Sequence, residues 1–351
     1  MIRRLLFPGF LLGLTLFSGC GRKGAEDENT MKLWYSQPAA VWEEALPVGN
    51  GRMGAMVFGN PVNERLQLNE ESIWAGSRIN NNNPAALANL KKLQSAIFEN
   101  RYKEATSLAD KSLLGTPPRV RSYQPLGDLI INYKWTGKPE NYYRELDLST
   151  GVASSSFTAD GKKFSEEVFV SAPDNILVVR IKAHDGGLIN AGFALSREKD
   201  AVVRASGNNS LILTGQIIDK DDELSGPGGS HMKFAGELRL SSIQGTTEAR
   251  GDTIYVSGAE EILVRLTSAT DYSLSLLDFD RSLEPSLICK QILDKTDNSI
   301  FNDLINSHIS EYSGYFDRVK LTLGPDSLAK KPTDQRLADV KNGAIDNGLI
   351  A

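Results

Sequence analysis

The segment from Leu46 to Gly76 holds the side chains best suited to binding a polar ligand. Asn69 and Glu70 carry groups that hydrogen-bond to hydroxyls, and Trp74 has an indole ring on which a sugar ring can stack. An equally simple structural interpretation is that Asn69 and Glu70 cap turns while Trp74 fills an interface. Both interpretations stay open at this level, so the three residues are candidates for a substrate pocket or a domain interface.

The remaining sequence offers no pattern typical of a catalyst or a metal site. His184, His231 and His308 are far apart and have no Cys or His at ligand spacing, so neither a metal nor another cofactor is expected. His308 falls on or beside an apolar helical stripe and is predicted to be a packed core residue. Cys289 has aliphatic neighbours at helical spacing, which predicts a buried structural thiol rather than a nucleophile.

The charge distribution bears on the class of partner. The 351-residue chain has a formal net charge of −5, and no segment clusters Lys and Arg. A phosphate-binding surface needs such clusters, so nucleic acid is not the expected partner. A neutral ligand such as a sugar fits the composition better.

Residues 1–20 have the pattern of a bacterial lipoprotein signal. A basic start precedes an apolar run from Leu5 to Phe17, which is too short to span a bilayer comfortably, and small residues then lead to Cys20. Cys20 is the predicted lipidation site, which would anchor the protein to the outer membrane of a bacterial cell envelope. The alternative is an ordinary secretory signal with an incidental cysteine. Residues 21–30 are polar and predict a flexible tether.

Residues 31–275 predict a mainly β fold, a large antiparallel β-sandwich. Several runs alternate apolar and polar residues, as in the same-face series Phe164, Glu166, Val168 and Val170. Many short strands separated by Gly-containing turns are typical of a sandwich. The candidate strands are Leu126–Tyr133, Tyr142–Leu148, Ala153–Thr158, Lys163–Val170, Ile176–Lys182, Ala191–Ser196, Leu211–Gly215, Met232–Ser241, Thr253–Val256 and Glu261–Thr267.

Helical periodicity appears in two places. Apolar residues at three- and four-residue steps predict a small helical insertion near residues 84–113. Residues 276–331 predict a C-terminal helical linker, with helices over 282–294 and 298–316. The alternating run at 318–324 predicts a short strand after them.

A polar loop lies between two of the candidate strands. It runs from Asp219 to Gly229, ends in Gly-Pro-Gly-Gly and is followed by His231. Such a loop can border a ligand site, although Gly-Pro runs commonly only connect strands. The sequence leaves both interpretations open.

Two runs resemble a known family. WEEALPVGNGRMGAMVFG, from Trp42 to Gly59, and NEESIWAG, from Asn69 to Gly76, resemble the N-terminal signature of glycoside hydrolase family 95, the α-L-fucosidase family that also includes α-L-galactosidases. The resemblance covers about Trp34 to Ala351. It implies a super-sandwich N-terminal domain and a helical linker leading into a larger helical barrel, of which residues 332–351, starting at PTDQRL, would be the truncated beginning.

The resemblance also implies an activity. Family members hydrolyse fucosylated glycans with inversion, using a glutamate acid and an aspartate-assisted asparagine that lie on the barrel. No position here matches those groups, so no catalytic residue is assigned and this chain alone is expected to be inactive. A separate chain could carry the barrel. The alternatives are a non-catalytic carbohydrate-binding or scaffolding lipoprotein, an α-L-galactosidase, or a sandwich-plus-barrel glycoside phosphorylase.

A physical expectation follows from this organisation. Without a barrel, the apolar stripe from Phe301 to Phe316 and the face carrying Trp74 would be uncovered. Exposed apolar patches promote association, so poor solubility or oligomers are expected.

Overall fold

The computed structural model describes residues 31–324 and 326–350. The predicted signal segment, the lipidation site Cys20 and the tether at 21–30 lie outside these residues. Residues 31–350 belong to one compact unit. None of the helices described there combines the length and apolar character that crossing a membrane requires.

The unit is built mainly from antiparallel strands, as the sequence predicts. The strands are β1 (Lys32–Tyr35), β2 (Leu46–Gly49), β3 (Met53–Val57), β4 (Asn63–Glu70), β5 (Gly127–Tyr133), β6 (Glu140–Asp147), β7 (Val152–Ala159), β8 (Lys162–Ser171), β9 (Ile176–Ala183), β10 (Ile189–Ser196), β11 (Ala201–Ala205), β12 (Ser210–Asp219), β13 (Gly229–Ile243), β14 (Thr246–Arg250), β15 (Thr253–Ala259), β16 (Glu261–Thr270), β17 (Tyr272–Ser273) and β18 (Asp278–Phe279). The helices are α1 (Ala86–Phe98), α2 (Tyr102–Ser112), α3 (Pro285–Asp294), α4 (Phe301–Phe316), α5 (Thr333–Lys341) and α6 (Asn347–Ile350).

Two large sheets pack face to face. One has the strand order β1-β6-β7-β8-β9-β16-β13-β12-β11, and the other β14-β15-β10-β5-β4-β3-β2. The longest register joins β13 to β16, from Phe234 opposite Thr270 to Ile243 opposite Glu261. Strands β17 and β18 form a small separate hairpin. This arrangement confirms the predicted sandwich.

The main core lies between the two sheets. Leu66, Leu129 and Phe193 of one sheet join Val168 and Val179 of the other in a single buried cluster. Apolar side chains alternate along these strands because only one face of each turns inward. Burial of this face supplies the main driving force for the fold.

Strand β9 departs from that alternation because both of its faces are covered. Leu177 and Val179 face the inter-sheet core, whereas Ile176 and Val178 pack with α3 and α4 on the outside of the nine-stranded sheet. All four side chains are buried. A continuous apolar run is the expected pattern for a strand covered on both sides.

The expectation of an uncovered helical stripe is wrong for the first half of the stripe, whereas Tyr315 near its end is 63% exposed. Phe301, Leu304 and His308 of α4 are buried, and Phe301 and Leu304 pack on Phe169 and neighbouring residues of the nine-stranded sheet. The sheet's outer face therefore covers this first half of the stripe. Trp74, in contrast, is 48% exposed.

Helix α5 packs against the edge strand β1. The Trp34 backbone N–H donates to Thr333 Oγ1 at 2.9 Å, and the Trp34 indole N–H donates to the Ala329 carbonyl at 2.9 Å. Arg336 is buried and forms two hydrogen bonds to the carboxylate of Asp346, at 2.7 and 2.6 Å. These contacts hold the PTDQRL run to the sandwich; its assignment to a barrel stays a prediction.

The other departures from the sequence prediction concern short strands. Residues 318–324 form no strand. Val319, Leu321 and Leu323 are exposed, and no strand of residues 31–324 and 326–350 pairs with them. Strands β17 and β18, of two residues each, were not predicted, and neither were β11 and β14. Each of the latter two lies at the edge of its sheet with many exposed positions, so alternation gives a weak signal there. Helices α1 and α2 confirm the predicted insertion near 84–113.

Candidate functional site

A large cleft opens where β4 and β16 end. It has a volume of about 1010 Å³, and its wall includes Glu70, Glu71 and Trp74. Ser268 and Thr270 of β16 contribute the adjoining side, and apolar residues of α3 and of the β17–β18 hairpin complete it. The structure thus brings two of the three candidate residues, Glu70 and Trp74, to one cleft.

Glu70 lies in the wall of the cleft with its carboxylate held in place. One oxygen accepts hydrogen bonds from the Ser72 backbone N–H at 3.0 Å and from the Ser72 hydroxyl at 2.7 Å. The other lies 3.7 Å from Arg52 Nη1. Burial raises the pKa of the Glu70 carboxyl, while the hydrogen bonds from Ser72 and the charge of Arg52 act in the opposite direction.

Arg52 ties the loop between β2 and β3 to the second sheet. Its Nε donates to Asn175 Oδ1 at 2.7 Å and its Nη1 donates to the Ser268 carbonyl at 2.7 Å. Asn50 shapes the loop, because its Oδ1 accepts hydrogen bonds from the backbone N–H groups of Arg52 and Met53. Burial lowers the pKa of the Arg52 guanidinium. Arg52 is therefore the link between the glycine-rich loop and the cleft.

Trp74 and Asn69 meet at Tyr123. The rings of Trp74 and Tyr123 lie edge to face, with centroids 5.5 Å apart. The Tyr123 hydroxyl lies 3.2 Å from Asn69 Oδ1 and donates to the Glu70 carbonyl at 3.0 Å. Trp74 donates its indole N–H to the Glu71 carbonyl at 3.2 Å. Asn69 is not among the residues of the cleft wall, and its side chain contacts Tyr123.

The loop from Asp219 to Gly229 borders the same cleft through Ser225 and Pro227. Arg121 holds it by donating to the carbonyls of Lys220, at 2.8 Å, and Gly226, at 2.6 Å. Arg121 also packs on Gly76, which has a φ of +102° and where an added Cβ would lie 3.2 Å from Arg121 Cδ, so there is little room for a side chain. The possibility that this loop lies beside a ligand site is therefore consistent with the structure.

His231 lies behind this wall rather than in it. The residue is buried, its Nδ1 lies 2.8 Å from Ser77 Oγ, and burial lowers the pKa of the imidazole. Two hydrogen bonds to its backbone carbonyl, from Gln216 and Arg281, fix its strand. The ring therefore supports Ser77, which does line the cleft.

The other chemically notable residues are structural. His308 is buried, stacks on Phe169 with centroids 4.8 Å apart and contacts the Thr150 carbonyl through Nε2 at 2.9 Å, which confirms a packed histidine. Cys289 is fully buried, and burial raises the pKa of its thiol to about 12, which confirms a structural thiol. Within residues 31–324 and 326–350, no three His, Cys, Asp or Glu side chains form a group that could hold a metal.

The sequence did not single out several cleft residues. Arg52 was visible only as part of a glycine-rich run, and Ser72, Thr270 and Arg121 carried no motif of their own. The hydroxyls of Ser72 and Thr270 lie 2.7 Å apart although the residues are 198 positions apart in the chain. Contacts of such sequence separation leave no periodic signal.

The fold is a large antiparallel sandwich, and its cleft combines an indole ring with hydrogen-bonded polar groups. A family comparison makes the class specific. Residues 33–275 match the model described as glycosyl hydrolase family 65, N-terminal domain. The match covers more than half of the chain, and the chain belongs to this family of N-terminal domains.

Curated relatives agree with the resemblance to α-fucosidases. Alpha-L-fucosidase 2 of Arabidopsis thaliana is 29% identical over 327 residues, covering 87% of this chain and 38% of the relative. Probable alpha-fucosidase A of Aspergillus niger is 27% identical over 331 residues, covering 87% and 40%. The chain thus spans about two fifths of the length of these relatives.

Solved structures with similarity to the chain are more distant. A putative kojibiose phosphorylase from the human microbiome has a TM-score of 0.48 at 11% identity, covering 88% of this chain and 40% of that one. A family GH92 inverting mannosidase from Bacteroides thetaiotaomicron has a TM-score of 0.35 at 10% identity, covering 61% and 30%.

Proposed function

We propose that this chain is the N-terminal domain of an α-L-fucosidase of glycoside hydrolase family 95, which acts on fucosylated glycans with inversion. Support comes from the domain family, from relatives named α-fucosidase and from the two sequence runs that resemble the family signature. The resemblance places the acid and the base on a helical barrel, and the chain spans about two fifths of the length of its relatives, so we assign the chemistry to residues outside this chain.

In this proposal the cleft helps to bind the glycan. The observation that carries it is the exposed Trp74 ring, which stands beside a fixed Glu70 carboxylate in a cleft of about 1010 Å³. A sugar ring stacks on an indole through its C–H face while its hydroxyls find hydrogen-bond acceptors. Arg52 and Ser72 keep the acceptor in one position, which lowers the cost of ordering it on binding.

The test is binding of a 2'-fucosyl oligosaccharide to the chain, measured by calorimetry, with Trp74→Ala as the variant. Trp42→Ala is a matched control, because Trp42 is 52% exposed but lies outside the cleft. We expect Trp74→Ala to weaken binding about tenfold, the equivalent of about 1.4 kcal/mol for one stacking contact. Equal affinities for the two variants would overturn the assignment of the cleft.

A second measurement tests the assignment of the chemistry. We expect no release of fucose from the same oligosaccharide by the purified chain. Fucose release would show that this chain carries catalytic groups. We further propose that Cys20 is lipidated and attaches the protein to the bacterial cell envelope, which mass spectrometry of the mature N-terminus would test.

A further inference from the structure

A second groove lies on the other side of the β2–β3 loop. It has a volume of about 410 Å³ and is bordered by α4 and by Asn50, with Glu311, Tyr312, Tyr315 and Phe316 among its wall residues. None of its wall residues belongs to the cleft that contains Trp74. We refer to it as the α4 groove.

The aromatic wall of the α4 groove is a stack that continues into the core. Tyr312 and Phe316 are stacked, with centroids 5.6 Å apart and an interplanar angle of 18°. Tyr312 is followed inward by His308, at 5.9 Å, and His308 by the buried Phe169, at 4.8 Å. The rings at the surface are therefore held by rings that are part of the fold.

Further contacts fix Tyr312. Its hydroxyl donates to the Leu148 carbonyl at 2.8 Å. Gly151, with a φ of +66°, lies beneath the ring, and a Cβ there would come within 2.9 Å of Tyr312 Cε2. A glycine at this turn thus permits close packing of the ring, so the wall is ordered before any ligand arrives.

The outer part of the groove combines an exposed ring with polar groups. Tyr315 is 63% exposed, and the Arg318 guanidinium lies 4.5 Å from its ring centroid. Glu311 places a carboxylate in the same groove, whereas the Asn50 amide already donates to the Ser171 carbonyl at 3.2 Å. Ring faces beside a hydrogen-bond acceptor suit the C–H face and hydroxyls of a pyranose, and the opposite charges of Glu311 and Arg318 favour a neutral ligand over a charged one.

We propose that the α4 groove is a second carbohydrate-binding site, which takes a neutral pyranose ring of a glycan. Tyr315 and the Tyr312–Phe316 pair contribute the stacking surface, and Glu311 accepts hydrogen bonds from sugar hydroxyls. This inference rests on the proposed action of the protein on glycans, but not on the cleft that contains Trp74. A site away from the cleft would hold a long glycan at a second point and raise its effective concentration.

The experiment measures binding of a neutral 2'-fucosyl oligosaccharide by saturation-transfer NMR and calorimetry, with the full chain and the variants Tyr315→Ala and Glu311→Gln. Tyr255→Ala is the matched control, since Tyr255 is also exposed and lies under an arginine, Arg250, at 5.4 Å, but borders neither groove. Urea unfolding establishes that each variant is folded.

Trp74→Ala is expected to retain saccharide binding at the α4 groove. When combined with Trp74→Ala, Tyr315→Ala and Glu311→Gln should each weaken this remaining affinity by about tenfold, whereas Tyr255→Ala should leave it unchanged. Absence of saccharide binding in Trp74→Ala, or equal behaviour of Tyr315→Ala and Tyr255→Ala, would overturn the α4 groove while leaving the cleft assignment intact. Binding that is lost in Tyr315→Ala but unaffected by Trp74→Ala would support the α4 groove and overturn the cleft.

Discussion

Replacement of Glu166 by Gln should change how the stability of the sandwich depends on pH. Glu166 and Glu64 are both buried between the sheets. Glu166 accepts a hydrogen bond from the Tyr133 hydroxyl at 2.5 Å, and Glu64 accepts one from the Gly59 backbone N–H at 2.9 Å. The second oxygen of Glu64 is buried with no hydrogen-bond partner among the described residues.

Burial sets the protonation of this pair. Burial raises the pKa of the Glu166 carboxyl from the ordinary 4.5 to about 7. Burial and the neighbouring Glu166 charge raise the pKa of Glu64 well above its usual range. The folded state therefore keeps a proton on Glu166 over a pH range in which the unfolded chain has released it.

The sign and size of the effect follow from this difference. Between about pH 4.5 and 7 the folded state binds more protons, so the free energy of unfolding falls as the pH rises. The full change attributable to Glu166 is about 3 kcal/mol, and Glu166→Gln removes it because an amide does not titrate. The buried His231 and His308 have lowered pKa values and act in the opposite direction near pH 6.5, so the informative quantity is the difference between wild type and variant.

The assay is urea unfolding of both proteins at intervals from pH 5 to 8. We expect the wild-type stability, relative to that of Glu166→Gln, to fall by about 2 to 3 kcal/mol across this range. Glu167→Gln is the matched control, because Glu167 lies on the opposite face of the same strand and pairs with Arg180 Nη2 at 2.7 Å. A wild-type-minus-Glu166→Gln difference that stays constant with pH would refute the reasoning.

Two further predictions concern the helical part of the chain. Arg336→Lys loses the two-point contact with Asp346 and should lower the free energy of unfolding by about 2 kcal/mol in urea titrations. Arg250→Lys, in an exposed ion pair, is the control and should leave the unfolding midpoint unchanged. Equal midpoints for the two variants would contradict this role for Arg336. Cys289 should react with an aromatic disulfide reagent far more slowly in the folded protein than in urea, because the thiol is buried and its pKa is about 12. Rapid labelling of the folded protein would show that α3 opens readily.

The parts of the fold that follow local patterns were predictable from the sequence. Alternation predicted the strands of the sandwich, and three- and four-residue spacing predicted α1, α2, α3 and α4. The same reasoning failed at 318–324, where alternation occurs but no neighbouring strand pairs with the chain. Pairing is a tertiary property, and a period of two does not specify a partner.

The candidate site was predictable only in part. Glu70 and Trp74 were found because they lie in one continuous run, whereas the contact of Arg52 with Ser268 joins residues 216 positions apart. The buried Glu64 and Glu166 left a usable signal. Along β8, Glu166 lies between Phe164 and Val168 on the side of the strand that faces the core. A carboxyl within such an apolar series predicts a buried titratable group.

The contact between Trp34 and Thr333 has a consequence for biosynthesis. The two residues are 299 positions apart, and the N–H that Thr333 accepts lies on the outer edge of β1. At about 5 to 20 residues per second, a ribosome needs roughly 15 to 60 seconds to make the intervening chain. During that interval the edge of β1 is an open template for another strand. Crowded polysomes and chaperones that bind nascent chains would therefore influence the yield of folded protein more than they influence its final stability.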